Sequence, residues 1–194
     1  MKTWLPKTAF LLALLLMPLA VAQAQDEGEA ALWRALKSGE AFAIMRHAIA
    51  PGTGDPAAFT LGDCSTQRNL SAEGRAQAET IGARFRKQGI TKAAVHSSAW
   101  CRCQDTAALL VLGEVETLPA LNSFYQRSGR AEQTAETRAW LTAYEGPWPL
   151  VLVTHQVNIS ALTGRYAASG ETIVARIGPG GEVEVLGALS ARPE

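Results

Sequence analysis

Two apolar runs without alternation, Ala41-Phe42-Ala43-Ile44-Met45 and Leu150-Val151-Leu152-Val153, constrain this chain more than any other feature. A strand with one wet face alternates apolar and polar side chains. A run that does not alternate, and is too short for a helix, needs cover on both faces. Both runs therefore predict central strands of a parallel sheet clad by helices on either side.

The intervening segments supply those helices. Ala30–Lys37 puts Leu32, Trp33 and Leu36 on one side and ends at Ser38-Gly39. Ser71 caps a helix to about Lys87, with Ala76, Ala78, Ile81 and Phe85 inward and Gly89 at its end. Ala93–Val95 reads as a short strand, followed by a helix from about Trp100 to Leu112 with Ala107, Leu110 and Val111 as apolar members. A further short run reaches Leu118 and Pro119. Residues 132–144 form a helix with Ala135, Ala139, Trp140 and Leu141 near helical spacing, and Val157–Leu162 reads as a helical turn. Thr172–Ile177 and Glu182–Leu186 form a hairpin across Gly178-Pro179-Gly180-Gly181. The expected fold is an α/β three-layer sandwich: a mostly parallel central sheet, helices on both faces and a C-terminal hairpin. Residues 50–63 hold Pro51, Gly52, Gly54, Pro56 and Gly62 and read as a long loop leaving the first strand.

Before this domain, Lys2 and Lys7 precede an apolar stretch at Ala9–Met17, and Ala22-Gln23-Ala24 follows. This is the pattern of a signal peptide over residues 1–24, too short to span a bilayer and leaving a single domain at 25–194. The expected location is periplasmic or secreted, with no stable membrane insertion after cleavage. The whole chain has 18 basic and 18 acidic side chains, and removal of Lys2 and Lys7 leaves it mildly acidic. That balance excludes a polybasic nucleic-acid binder; any positive site has to be assembled locally by folding.

Export places Cys64, Cys101 and Cys103 in an oxidising compartment, where one disulfide and one buried thiol are expected. Cys101 and Cys103, two apart on a helix, point in different directions, so Cys64 is the natural partner of one of them. The C-x-C spacing fits no zinc pattern, and no metal or other cofactor is expected.

In an open α/β sheet ligands bind beyond the carboxyl ends of the strands. The first run ends in Arg46-His47 and the last in Thr154-His155, so two of the three histidines occupy equivalent positions. His96 ends the middle strand and is read as structural. Ser97-Ser98-Ala99-Trp100-Cys101-Arg102 then places a second arginine in the opening turn of a helix, where anions are favoured. Two guanidiniums and two imidazoles facing one crevice suit a tetrahedral oxyanion such as phosphate.

These segments resemble the histidine phosphatase superfamily. Arg46-His47-Ala48 is similar to its Arg-His-Gly, and Leu70–Ala78 to its Leu-Thr/Ser-x-x-Gly-x-x-Gln-Ala helix start. Ser97–Ala107 is similar to its Ser-Ser-Pro-x-x-Arg-Ala-x-Gln-Thr-Ala, and Val153–Gln156 to its Val-Ser-His-Gly. The resemblance implies His47 as a nucleophile phosphorylated in turnover, Arg46 and Arg102 as phosphate clamps, and His155 as a further phosphate ligand. It implies hydrolysis of a small phosphorylated substrate without a metal. Cys103 replaces the family's small alanine, which implies a buried thiol there and a Cys64–Cys101 bridge.

The family's general acid is missing at both usual positions: Ser123 stands at one and Gln156 at the other. Asp55 and Asp63, on the long loop, are candidate replacements or else turn-forming aspartates. Arg68 and Asn158, with Gln67, are candidates for the substrate side of the pocket; a solvated arginine is the other reading of Arg68. A noncatalytic phosphate-binding domain that lost its acid is the alternative to an enzyme.

Overall fold

The computed structural model describes residues 27–191, so the expected signal segment lies outside the described residues. Helix α1 covers 27–38. The chain continues through β1 (Phe42–Arg46), α2 (Ala72–Lys87), β2 (Ala94–Ser97), α3 (Cys101–Leu109) and β3 (Val115–Thr117). Then follow α4 (Arg130–Thr142), β4 (Leu150–Thr154), α5 (Gln156–Thr163), β5 (Thr172–Ile177) and β6 (Val183–Leu189). The sheet runs in the order β3-β2-β4-β1-β5-β6. The first four of these pair in parallel, and the β5–β6 hairpin adds on in antiparallel fashion beside β1.

The missing alternation in β1 and β4 follows from this position. Ala43, Met45, Val151 and Val153 face Trp33, Phe85 and other side chains of α1, α2 and α3. Phe42, Ile44, Leu150 and Leu152 face Leu141 of α4 and Ile159 and Leu162 of α5. Each of the larger side chains, removed from water on either face, contributes about 1.5–3 kcal/mol. A polar residue at any of these strand positions would lose that contribution and leave a buried group unpaired.

Helix details depart from periodicity where close packing decides. On α2 the inner face is Gly74, Ala78, Ile81, Gly82 and Phe85, and Ala76 is exposed. A Cβ on Gly82 would lie 2.2 Å from the Leu110 carbonyl oxygen, so only glycine lets α2 meet the end of α3. Helix α3 stops at Leu109, short of Leu112, because Val111 turns left-handed at φ 52°, and Val111 is exposed. On α4, Ala135 and Ala139 face outward and Thr137 is buried instead, its hydroxyl donating to the Ala120 carbonyl at 2.9 Å.

Candidate active site

Strands β1 and β4 are neighbours with Arg46 opposite Thr154, so His47 and His155 leave the sheet side by side. The His47 amide donates to the Thr154 carbonyl at 3.0 Å, and the two rings meet edge to face with centroids 5.6 Å apart. The turn after His47 is held from outside. Ala48 N donates to Thr106 Oγ1 at 3.0 Å, Ile49 N donates to Gln77 Oε1 at 3.0 Å, and Ser71 N donates to the Ile49 carbonyl at 3.1 Å. A Cβ on Gly74 would fall 2.0 Å from that same carbonyl oxygen. The Leu70–Ala78 segment thus acts at the site by bracing the histidine turn.

That turn fixes the tautomer of His47. Its Nδ1 lies 2.8 Å from the Ala48 carbonyl oxygen, which only accepts, so Nδ1 carries the proton and Nε2 keeps its lone pair. Burial pushes the His47 pKa down to about 3, with Arg102, Arg68 and Arg46 adding to the effect against the carbonyl bond. His155 is likewise held well below its ordinary value, by burial and then by Arg102. Arg102 Nη2 donates to His155 Nδ1 at 3.4 Å, which leaves His155 Nε2–H to donate to Ser98 Oγ at 2.8 Å. Both imidazoles are neutral at neutral pH.

Arg46 donates from Nη1 to Tyr166 Oη and to the Ala167 carbonyl, both at 3.3 Å. Arg102 forms a two-pronged pair with Asp55 at 2.6 and 3.2 Å and donates also to the Arg68 carbonyl. With His155 these partners occupy the terminal N–H groups of Arg102. The Nε–H of Arg46 and that of Arg102 are both buried without a partner among the described residues. An orphaned buried donor costs about 1–3 kcal/mol.

Asp55 also accepts from Trp100 Nε1 at 3.0 Å and from the Arg68 amide at 3.2 Å. Burial pulls its carboxyl upward, but the hydrogen bonds from Arg102 and Trp100, with the Arg102 charge, outweigh this and hold it below its ordinary value. Asp55 therefore stands in the site as the counter-ion of Arg102, a role that neither of its two sequence readings, replacement acid or turn former, describes. Asp63 takes its turn-forming reading and does not line the cleft: it is exposed and accepts from Ser65 N and Oγ, ordering the 3₁₀ turn at Cys64–Thr66.

The cleft has a volume of about 510 Å³ and brings together Arg46, His47, Asp55, Arg68, Arg102 and His155. Arg68 is fixed by donating to the Gly54 carbonyl at 2.7 Å and to that of Ala50. Asn158 does not line the cleft; its side chain donates to the Asn122 carbonyl at 2.8 Å and braces the loop before α4. Gln67 likewise lies behind the wall, accepting from the Cys101 amide at 3.0 Å. The Ala99 amide is taken by Asn122 Oδ1, so these two amides of the α3 entry are already satisfied by side chains. Ser123 and Gln156 do line the cleft, without a carboxyl. His96 lies within β2, not at its end, with its ring against Trp140 and Tyr144.

Cys64 and Cys101 form a disulfide that ties the long loop to the start of α3. Cys103 is a free, buried thiol, pushed up to about 12 by burial. Several cleft residues carry no sequence signal. Phe59 stacks on Trp100 at 5.2 Å, and Tyr125, Arg127 and Tyr166 complete the rim. They come from loops, where no periodicity marks an inward side chain. The one hint for Phe59 is the density of Pro and Gly over residues 50–63, which marks a long loop. Among the described residues, no three His, Cys, Asp or Glu side chains group as a metal site.

The fold and the paired histidines at strand ends define a phosphoryl-handling α/β domain. The chain belongs to the histidine phosphatase superfamily, branch 1, whose model matches residues 44–176, and its class of activity is that of a phosphatase. Solved structures share the fold. A protein histidine phosphatase solved with tungstate is 16% identical, with a TM-score of 0.56 over 78% of this chain and 97% of the other. A mycobacterial glucosyl-3-phosphoglycerate phosphatase is 18% identical, with a TM-score of 0.56 over 75% and 96%. An alpha-ribazole phosphatase from Shigella flexneri is 17% identical, with a TM-score of 0.56 over 79% and 98%. No curated protein matches the chain.

Proposed function

We propose that this protein is an exported phosphatase that hydrolyses a phosphorylated small molecule through a phosphohistidine on His47, without a metal. The observation that carries the reading is the single tautomer of His47: an unprotonated Nε2 in a cleft lined by Arg46, Arg68 and Arg102. In the first step the Nε2 lone pair forms the P–N bond and the bond from phosphorus to the leaving oxygen breaks. The positive charge of Arg46 and Arg102 offsets that of the phosphoryl oxygens, which is spread in the transition state. In the second step water attacks phosphorus, the P–N bond breaks, and His47 returns to its neutral form as phosphate departs. The tungstate in one structural neighbour is a tetrahedral oxyanion of the kind this cleft suits.

Asp55 is the one carboxyl lining the cleft among the described residues, and it is held as an anion. The leaving oxygen therefore takes its proton from solvent, which favours substrates with acidic leaving groups. Missing general-acid assistance costs about 10²- to 10⁴-fold on poor ones. The reading of an exported protein is supported by the residue 1–24 pattern and by the Cys64–Cys101 disulfide, which persists in oxidising compartments.

The test is rapid quenching with a radiolabelled aryl phosphate. Acid-labile label on His47 and loss of phosphate release in His47→Ala are expected. Saturable phosphate binding with no covalent label and no turnover would point instead to the noncatalytic binding domain.

A further inference from the structure

The cleft holds more positive charge than one phosphate can balance. Arg46, Arg68, Arg102 and Arg127 line it, and Asp55 is the one carboxylate there among the described residues. Asp55 is committed to Arg102. Arg46 and Arg68 donate to neutral oxygens: the Tyr166 hydroxyl and the carbonyls of Ala167, Gly54 and Ala50. A phosphate monoester brings at most about two negative charges. One guanidinium is left over, and Arg127 is the one set apart from the histidines.

Arg127 is presented to the cleft by a turn in which Gln126 adopts a left-handed φ of 58° and the Arg127 amide donates to the Phe124 carbonyl at 2.9 Å. A non-glycine residue in that region costs about 1 kcal/mol or more and persists where surrounding structure enforces it. The guanidinium carbon lies 5.4 Å from the Trp100 ring centroid and 5.5 Å from that of Phe59. Contact with ring faces fixes the plane of a guanidinium and leaves its edge N–H groups open for a two-pronged acceptor. Among the described residues, no acceptor meets them. Ring contacts of 5.6 Å from His47 to His155 and 5.3 Å from His155 to Trp100 separate this group from the nucleophile.

We propose that the substrate carries two anionic groups, its phosphoryl group at His47 and a second phosphate or carboxylate at Arg127. This rests on the phosphatase reading for the first anion only. Phe59 and Trp100 then form the wall beside the part of the substrate that joins the two charges.

The experiment compares binding of 1,4-butanediol and 1,6-hexanediol bisphosphates with butyl and hexyl phosphate, by calorimetry on the disulfide-bonded protein. A bisphosphate is expected to bind about tenfold or more tighter than its monophosphate. In Arg127→Gln that preference collapses to about the factor of two that two equivalent ends confer, and Arg127→Lys keeps part of it. A preference unchanged in Arg127→Gln, or absent from the parent protein, overturns the proposal. Calorimetry needs no turnover, so a cleft that prefers bisphosphates through Arg127 yet never labels His47 would sink the catalytic reading alone. Normal labelling of His47 without any preference would sink this one alone.

Discussion

Replacing Asp55 by asparagine separates a counter-ion from a proton donor. The Arg102 side chain is 3% exposed and that of Asp55 16%, so the pair is largely out of water. Removing one partner of a buried pair costs about 3–5 kcal/mol, and the modest exposure of Asp55 lowers this to about 2–4 kcal/mol. An amide also cannot accept at every atom where the carboxylate now meets Arg102, Trp100 and the Arg68 amide. For a domain of this size each kcal/mol moves the melting temperature by about 2–4 °C, so thermal unfolding at pH 7 is expected to shift down by about 5–15 °C. Because the folded Asp55 carboxyl lies below its ordinary 3.8, the contribution is present above that pH and lost as pH falls through the lower folded value. The gap between parent and variant should thus be equal at pH 7 and pH 5 and narrow only below 3.8. On aryl phosphates graded by leaving-group acidity, a counter-ion predicts a loss of kcat uniform along the series. A loss that steepens toward poor leaving groups, or a melting temperature within about 2 °C of the parent, would refute the ion-pair reading.

The buried histidines set the acid limit of the fold. Folded His47 titrates near 3 and an unfolded histidine at 6.5, so the unfolded chain binds the proton first. Stability is full above pH 6.5 and falls on acidification by up to about 1.4 kcal/mol per pH unit, with His155 acting in the same direction. Urea midpoints between pH 7 and 4 should fall less steeply in His47→Asn, and parallel curves would contradict the assignment. Cys103 should resist N-ethylmaleimide at pH 8 in the native protein and react as the single free thiol after unfolding without reductant. Labelling of the native protein would show that Cys103 is within reach of solvent.

The sequence carries the architecture where periodicity or its absence has one physical cause. Strands β1 and β4 are legible because a run buried on both faces cannot alternate, and the start of α2 because Ser71 caps it by accepting from the Gly74 amide. The histidines follow from strand ends and Arg102 from the opening turn of α3. The loops do not follow, since Asp55 and Asp63 both sit beside glycines with the same local signature. What separates them is distant: Asp55 meets Arg102 and Trp100, whereas Asp63 meets only its own turn. Ala76 and Val111 show the same limit in helices, where spacing pointed inward and glycine contacts or a left-handed turn decided otherwise.

The parallel pairing of β1 with β4 means that catalytic competence cannot precede synthesis of the chain through Ala167. Arg46-His47 is made early in synthesis, but the carbonyl that receives the His47 amide belongs to Thr154, and Arg46 takes its acceptors from Tyr166 and Ala167. Contacts of such separation form slowly because a long intervening segment must first be closed. Recovery of turnover after dilution from denaturant therefore clocks the docking of the carboxyl-terminal third, and a truncated polypeptide ending before β4 would stay inert.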